Sequence, residues 1–195
     1  IAITQLTELG TLYTPVEVKE LADYAHANGL LLFMDGARIA NAAAALDGDV
    51  LAFTKDAGVD ILSFGGTKNG MMGGEAVVIL NPDLAKNFQF IRMQGMQLYS
   101  KMRFMSAQFQ AMLTDDLWLK NAARANNMAQ LLATKLSELS GVTIVQPVQA
   151  NMVFVSLPQA VIKPLQEKFF FYIWNEALSE VRLITSFDTE EEEIE

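Results

Sequence analysis

Short apolar runs alternate with helical patterns in the first part of the chain. Residues 30–34 and 59–64 are largely apolar and too short for helices, which is typical of strands buried on both faces of a parallel sheet. A third run covers residues 75–80, and a strand-like segment occupies residues 1–3. Strands that alternate with helices in this way predict an α/β fold with a parallel-rich sheet.

Two helices are predicted between these strands. Thr14 is placed to cap the first helix, with Pro15 at its first position and Glu17 completing a capping box, and the helix is expected to end near Asn28. A stretch of small residues predicts the second helix at residues 39–46.

The second part of the chain predicts a small α+β domain. Residues 84–139 have helical spacing with little turn chemistry, so we expect this stretch to link two domains. One helix is predicted at residues 158–168. Four strands are predicted, at residues 142–145, 152–157, 169–173 and 181–184. We assign residues 1–112 to the large domain, with the start of the interdomain helix, and residues 113–195 to the small one.

Composition narrows the function classes. The net charge of −9 argues against binding to a phosphate backbone, so nucleic acid is not an expected partner. No apolar run reaches the roughly 18 residues needed to span a bilayer, and no secretory signal is evident, so we expect a cytoplasmic protein without membrane contact. The ten methionines and 51% hydrophobic content suggest apolar surface covered by another subunit.

Polar residues follow two of the predicted strands at their carboxyl ends, where doubly wound sheets collect ligands. Asp35 and Arg38 follow the strand at residues 30–34, and Lys68 stands in a glycine-rich turn after the strand at residues 59–64. A desolvated lysine is a nucleophile toward carbonyl groups because burial favours its neutral amine. The turn therefore predicts an imine-forming lysine.

Asp35 and Arg38 fit the same chemistry. A carboxylate keeps the ring nitrogen of pyridoxal phosphate protonated, so that the ring accepts electrons from a breaking bond. Arg38 offers two parallel hydrogen bonds to a substrate carboxylate. Each motif alone is more often an ordinary turn. Together with Lys68, they favour a site for an amino acid and this cofactor.

A series of short motifs runs along the whole chain. They cover residues 4–13, 35–42, 65–70, 75–76, 100–104, 106–108, 118–122 and 181–189. In this order they resemble the low-specificity L-threonine aldolase family, in the β-eliminating-lyase branch of fold-type I pyridoxal-phosphate enzymes. The resemblance implies the aspartate-aminotransferase-like fold, with an N-terminal portion of the family that precedes Ile1 and is missing here.

The resemblance also implies roles for individual residues. It makes Lys68 the lysine that holds the cofactor as an imine, and Asp35 the partner of the pyridine nitrogen. Arg38 matches an arginine that reaches the cofactor or substrate carboxylate, and Arg182 one that binds the substrate carboxylate. Thr67 matches a residue that bonds the cofactor's phosphate or phenolic oxygen.

Arg103 has two interpretations. The resemblance places it near a phosphate across the interface of a dimer, whereas a solvated helix residue is the ordinary alternative. The family's phosphate-binding glycine loop and ring-stacking residue do not occur in this sequence. A homodimer or homotetramer is the assembly that the resemblance implies.

The implied reaction is the cleavage of β-hydroxy-α-amino acids, of the L-threonine and L-allo-threonine type, to glycine and an aldehyde. We expect the base for the β-hydroxyl proton to come from sequence outside this chain or from water. The same lysine and aspartate would serve β-elimination or racemisation, and a non-catalytic relative of the fold is a further alternative.

Other conspicuous side chains are expected to be structural. His26, in the last turn of the first helix, suits the helix dipole rather than a ligand set, so no metal site is predicted. Trp118, Trp174 and the phenylalanines at residues 169–171 are predicted to pack in the core rather than to stack on a ligand.

Overall fold

The computed structural model describes residues 1–195, which form two four-stranded sheets. The strands of the first sheet are β1 (Ala2–Thr4), β2 (Phe33–Gly36), β3 (Ile61–Gly65) and β4 (Glu75–Ile79), in that spatial order. Strands β1, β2 and β3 are parallel, and β4 is antiparallel to β3. Helix α1 (Pro15–Ala27) connects β1 to β2, and α2 (Ile39–Ala45) lies between β2 and β3. The predicted parallel-rich α/β sheet is confirmed.

The start of α1 follows the predicted capping chemistry. The Thr14 hydroxyl accepts a hydrogen bond from Glu17 N, and the Glu17 carboxylate accepts one from Thr14 N at 2.7 Å. The hydrogen bonds that the carboxylate accepts from Thr14 N and from the Thr14 hydroxyl lower the pKa of Glu17 below its ordinary value. The helix reaches its C-cap at Asn28, as expected.

Strand β2 differs from its prediction in place and burial. It begins at Phe33, so Asp35 and Gly36 belong to the strand rather than to a turn after it. Met34 is fully buried, whereas Phe33 on the opposite face is 38% exposed. The expected burial on both faces is therefore wrong in this chain, because the core covers only the Met34 side.

The predicted continuous helical stretch is broken into three α-helices. They are α3 (Phe88–Gln94), α4 (Arg103–Leu113) and α5 (Leu117–Ser137). Left-handed backbone at Met96 and Lys101 interrupts the chain before α4, and Asp115 and Asp116 interrupt it before α5. Aspartate tolerates this conformation better than most residues, which explains why no glycine or proline signal marks the second break.

The second sheet is entirely antiparallel. Its strands are β5 (Thr143–Ile144), β6 (Met152–Ser156), β7 (Tyr172–Asn175) and β8 (Glu180–Ile184), in the order β5-β6-β8-β7. Helix α6 (Gln159–Gln166) joins β6 to β7. Strand β7 begins three residues later than predicted.

The prediction that the aromatic residues pack in the core is confirmed for two of them and wrong for the other three. Trp118 is buried, as expected, and so is Phe171. Phe169, Phe170 and Trp174 are 57%, 86% and 41% exposed, so their assignment to the core is wrong in this chain. The run of three phenylalanines precedes β7, and only the last of them turns inward.

The two sheets share one apolar core. Met152 and Phe154 of β6 pack in the same cluster as Met34 of β2 and Ile39 of α2. Arg182 of β8 lies directly opposite Phe154 in the antiparallel register, and opposed residues project from the same face of a sheet. Arg182 therefore faces the first sheet. The domain boundary between residues 112 and 113 stays a prediction.

Helix α5 packs against α2, β5 and β6. After Trp118, its buried positions are all alanine, at Ala122, Ala125, Ala129 and Ala133, which allows close approach to its neighbours. None of the helices combines the length and the apolar character that crossing a membrane requires.

Candidate active site

The parallel strands of the first sheet end at one edge, and Asp35 lies there. It is in register with Thr4 of β1 and Ser63 of β3. One oxygen of its carboxylate, Oδ1, accepts a hydrogen bond from Ala37 N at 2.9 Å. Asp35 is only partly buried. Its second oxygen accepts no hydrogen bond within the chain, and the predicted role of Asp35 toward a ligand stays a prediction.

Lys68 stands in the tight turn that follows β3, at residues 67–69. The approach of this turn to the chain after β2 requires glycine, because a Cβ at Gly65 would lie 2.5 Å from the carbonyl oxygen of Ala37. Left-handed backbone at Gly70, with φ of 109°, then ends the turn. The glycines that mark the turn in the sequence thus bring Lys68 beside the Asp35 strand.

The turn is held in place by the residue after the lysine. Asn69 is buried and donates from Nδ2 to the carbonyl oxygen of Trp118 at 2.9 Å. The carbonyl oxygen of Asn69 in turn accepts a hydrogen bond from Asn121 Nδ2 at 2.9 Å. These contacts with α5 position the backbone of Lys68. The lysine itself is exposed in this chain, so the burial expected for its amine is wrong here.

A cavity of about 140 Å³ lies between the two sheets at this edge. Its walls include four of the predicted site residues, Asp35, Arg38, Lys68 and Arg182. None of the four ion pairs in the structure involves any of the three cationic residues of this set. The lining carries these three cationic side chains against two carboxylates, those of Asp35 and Glu8, so the cavity presents a small excess of positive charge to a ligand.

The two guanidinium groups influence each other. Burial lowers the pKa of Arg38, the nearby charge of Arg182 lowers it further, and Asp35 acts in the opposite direction. Arginine remains protonated in proteins despite such shifts. Two like charges held together in a partly buried cavity favour the binding of an anion.

Arg182 has a donor that the protein does not satisfy. Its guanidinium lies over the rings of Tyr172 at 5.4 Å and Trp174 at 5.2 Å from the ring centroids. Its Nε is buried and has no hydrogen-bond partner. Buried donors are normally paired, so this one indicates a place for an acceptor on a ligand.

A second space of about 370 Å³ adjoins the first and shares Arg38 and Lys68 with it. Asn151 also lines it; this residue is 6% exposed and donates from Nδ2 to the carbonyl oxygen of Thr185 at 2.8 Å. Its Oδ1 is buried without a partner. The sequence interpretation missed Asn151, which directly precedes β6 and carried no motif of its own.

Thr67 and Arg103 differ in their position relative to the two spaces. Thr67 lines the second space, and its hydroxyl accepts a hydrogen bond from Gly74 N at 2.9 Å. Arg103 is exposed at the start of α4, where its guanidinium lies 4.8 Å from the ring centroid of Phe104. The structure therefore brings Thr67 to the cluster and leaves Arg103 outside it.

His26 lies away from this edge. Its Nε2 is 2.9 Å from Oδ2 of Asp60, the residue directly before β3. This contact agrees with the structural role expected for the histidine. Besides the helix dipole, His26 interacts with the carboxylate of Asp60.

Comparison with known proteins shows the family of this chain. The family model described as beta-eliminating lyase matches residues 1–160. The chain belongs to the beta-eliminating lyase family. This membership agrees with the resemblance inferred from the motifs around Asp35 and Lys68.

Two curated relatives of this family member carry the name low specificity L-threonine aldolase. The protein from Pseudomonas sp. (strain NCIMB 10558) is 42% identical over 191 residues, which are 98% of this chain and 55% of the relative. The protein from Pseudomonas aeruginosa is 41% identical over 194 residues, 100% of this chain and 56% of the relative. The chain thus spans a little over half the length of the curated relatives it matches.

A solved structure of Leishmania major threonine aldolase superposes with a TM-score of 0.90 at 32% identity, over 99% of this chain and 57% of that one. The fold class expected from the sequence, the aspartate-aminotransferase-like fold type I, is confirmed by this match and by the family.

Proposed function

We propose that this beta-eliminating lyase family member is a pyridoxal-phosphate-dependent aldehyde-lyase. It would cleave β-hydroxy-α-amino acids of the L-threonine and L-allo-threonine type to glycine and an aldehyde. One observation carries the proposal: Lys68, Asp35, Arg38 and Arg182 line a single cavity at the carboxyl edge of the sheet. The names of the two Pseudomonas relatives support the choice of reaction.

The residues of the cavity fit pyridoxal phosphate. Lys68 would hold its aldehyde carbon through the side-chain amine, and Asp35 would bind its ring nitrogen through the carboxylate oxygen that Ala37 N leaves available. Thr67, on the adjoining space, offers a hydroxyl to an oxygen of the cofactor. The Nε of Arg182 has no hydrogen-bond acceptor within the protein, and the substrate carboxylate would serve as one. When bound, the cofactor supplies an electron sink for the bond that breaks at Cα.

The arginines orient the substrate. Arg182, with Arg38 beside it, would bind the carboxylate through charge-assisted hydrogen bonds, which are about twice as strong as neutral ones. A fixed carboxylate also fixes the rotation about the bond between the amino nitrogen and Cα. The bond from Cα to Cβ can then be held in the orientation that favours its cleavage.

The aspartate and the lysine perform distinct tasks. Asp35 stabilises the positive charge on the ring nitrogen from the end of β2, a position set by strand pairing rather than by a mobile loop. Lys68 would hold the cofactor before the substrate binds, and its side-chain amine would afterwards accept or return a proton at Cα of the substrate.

We also propose a homodimer or homotetramer. Apolar side chains are exposed on and around α3 and α4, including Met96 at 89%, Tyr99 at 65% and Phe104 at 60%. Apolar patches of this kind commonly mark protein interfaces. Arg103 lies within this surface, which supports its assignment to the site of a second subunit. The cytoplasmic location stays a prediction.

β-Elimination is the second candidate reaction. The family description, beta-eliminating lyase, favours it over racemisation, and the same lysine and aspartate would serve it. The two reactions differ in their products, because elimination from threonine releases ammonia and a keto acid.

A product assay decides between these reactions. The full-length protein, supplied with pyridoxal phosphate, is incubated with L-threonine, and glycine, acetaldehyde, ammonia and keto acid are quantified. Equal amounts of glycine and acetaldehyde are the expected result. Ammonia with a keto acid would show elimination instead, and no product from threonine, allo-threonine or serine would favour a non-catalytic relative.

A further inference from the structure

The loop after β1 brings a second carboxylate to the cavity. Glu8 lines the same space as Lys68 and Arg182. We propose that Glu8 binds the β-hydroxyl group of the substrate and accepts its proton during cleavage. This inference rests on the proposed function and deepens it. It is an alternative to the expectation that the base lies outside this chain or is water.

The start of this loop is tied to the site. Gln5 N donates to the carbonyl oxygen of Asp35 at 2.8 Å. The fully buried side chain of Gln5 then clamps Tyr13, since its Nε2 donates to the Tyr13 carbonyl oxygen at 2.9 Å and its Oε1 accepts from Tyr13 N at 3.0 Å. The two ends of the segment from residue 5 to residue 13 are therefore held together at the edge of the sheet.

The middle of the loop is equally constrained. Thr7 N donates to the Thr11 carbonyl oxygen at 3.0 Å, and the two threonine hydroxyl groups lie 2.7 Å apart. Gly10, with φ of +74°, packs so closely on β6 that a Cβ there would lie 2.8 Å from the Cβ of Met152. These contacts make the loop a rigid support for Glu8 rather than a mobile connection.

The carboxylate of Glu8 is oriented by one hydrogen bond. Thr4, which also lines the cavity, donates from its hydroxyl to Oε1 of Glu8 at 3.0 Å. Oε2 takes part in no hydrogen bond within the chain. An oriented carboxylate with one available oxygen has the form that a general base requires.

The other ionisable side chains that line the cavity already have assigned roles, which leaves Glu8 as the candidate base. Arg38 and Arg182 are donors. Asp35 is assigned to the ring nitrogen, and the Lys68 amine is assigned to the proton at Cα. No histidine is among these side chains. Glu8 is the remaining group that can accept a proton.

The proposed step balances. The hydroxyl proton passes to Oε2 of Glu8 as the bond between Cα and Cβ breaks, and the carbon–oxygen bond becomes the carbonyl of the aldehyde. The electron pair of the broken bond remains with Cα, which then takes up one proton from an exchangeable group. Glu8 releases its proton to water, so the net products are glycine and the aldehyde.

Two variants separate binding from proton transfer. Glu8→Gln keeps an oxygen that can accept a hydrogen bond from the hydroxyl but cannot act as the base, whereas Glu8→Ala removes both functions. Glu20→Gln, at an exposed position on α1, is the matched control. Retention of the cofactor absorbance in each full-length variant verifies that the site is intact.

The binding measurement does not depend on turnover. The probes are 3-hydroxybutanoate and butanoate, which share the carboxylate and differ only in the β-hydroxyl group, and calorimetry gives their dissociation constants. A hydrogen bond to a charged group predicts that the wild type prefers 3-hydroxybutanoate about tenfold. This preference should disappear in Glu8→Ala and persist in part in Glu8→Gln.

The kinetic measurement compares two reactions of the same enzyme. Exchange of the α-hydrogen of glycine with solvent deuterium needs the lysine and the cofactor but no β-hydroxyl group. Glu8→Gln should slow threonine cleavage by roughly 10²-fold to 10⁴-fold and leave glycine exchange within about twofold of the wild type.

Equal loss of both reactions, unchanged threonine cleavage, or no preference for 3-hydroxybutanoate in the wild type would each overturn the assignment of Glu8. A wild type that exchanges glycine but releases none from threonine would instead contradict the proposed function, and the role of Glu8 with it.

Discussion

Two aspartates lie at opposite ends of the parallel strands of the first sheet, and their surroundings differ. Asp60, directly before β3, accepts hydrogen bonds from Leu32 N at 2.8 Å and Asn81 Nδ2 at 2.7 Å, and it also contacts His26 Nε2 at 2.9 Å. Asp35, at the carboxyl end of β2, accepts one, from Ala37 N. The first carboxylate is satisfied by the protein and the second is not.

The same contrast holds for the cations. At the amino edge of the sheet, His26 is paired with Asp60. At the carboxyl edge, Arg182 has an unpartnered Nε and Lys68 forms no ion pair. A buried polar group that the fold satisfies stabilises the fold, whereas one left unsatisfied indicates a ligand. The fold therefore satisfies the polar groups at one end of the sheet and leaves groups without partners at the other end, where the proposed site lies.

Replacement of Lys68 should have the largest effect on turnover and show most clearly that the two edges of the sheet differ. Lys68→Ala should reduce turnover of L-threonine on the order of 10⁴-fold and remove the imine absorbance, because no other cavity residue offers an amine. Thermal unfolding should change little, since the side chain contributes no ion pair. Exposed Lys55 on the opposite side is the control, and Lys55→Ala should retain full turnover. Equal activities in the two variants would refute the role of Lys68.

Replacement of Asp60 should show the reverse pattern. Asp60→Ala leaves a buried Leu32 N and Asn81 amide without acceptors, which should cost about 3 kcal/mol of the free energy of unfolding. Turnover below the melting temperature should stay near the wild-type value. Denaturant unfolding with exposed Asp56→Ala as control measures this difference. A loss of activity without a loss of stability would contradict the contrast between the edges.

The contribution of Asp60 should also depend on pH. Burial alone would raise its pKa, but the hydrogen bonds from His26, Leu32 N and Asn81 outweigh burial and hold the pKa below the ordinary 3.8. A lowered pKa in the folded state stabilises the protein above the unfolded pKa, and the stabilisation is lost as pH falls through the folded value. The difference between wild type and Asp60→Ala should therefore be constant near neutrality and shrink below about pH 4. A difference that grows on acidification would contradict this assignment.

Substitution of Arg182 should produce an intermediate effect confined to the carboxyl edge. Arg182→Lys keeps the charge but loses the paired donors and the flat contact with Tyr172 and Trp174. The KM for L-threonine should rise on the order of tenfold to a hundredfold, with a smaller change in kcat. Arg124→Lys, at an exposed arginine that binds Glu190, should leave KM unchanged. An unchanged KM in Arg182→Lys would remove this arginine from the carboxylate site.

Replacement of His26 should have the smallest effect. Its side chain is 43% exposed, so His26→Ala removes one partner of Asp60 while the two donors from Leu32 and Asn81 remain. Stability should fall by about 1 kcal/mol, with no change in the kinetics of threonine cleavage. A large kinetic effect would show that the histidine is coupled to the site, against the structural interpretation.

The sequence could place the parallel strands and the polar cluster because both depend on local patterns. Glycine around Lys68 is required by close approach to Ala37, and the capping box at Thr14 is a short-range motif. The break at Asp115 and Asp116 could not be predicted, because their left-handed conformations depend on how α4 and α5 pack.

Contacts between distant segments account for the other omissions. Asn151 lines the second space because β6 packs against the first sheet, and no motif marks it. Glu8 lies within the motif at residues 4–13, but the resemblance gave it no role. The partnership of His26 with Asp60 likewise joins residues far apart in the chain. The sequence shows which polar side chains the chain contains. Tertiary packing decides which of them find hydrogen-bond partners within the protein.

The most direct test of the account is the trapping of the cofactor on the protein. The full-length protein is loaded with pyridoxal phosphate, its visible absorption is recorded, and borohydride reduction is followed by peptide mapping. We expect an absorption band typical of an imine that borohydride bleaches, with the reduced adduct on Lys68 alone. An adduct on another lysine, or no band at all, would contradict the assignment of the carboxyl edge as the catalytic site.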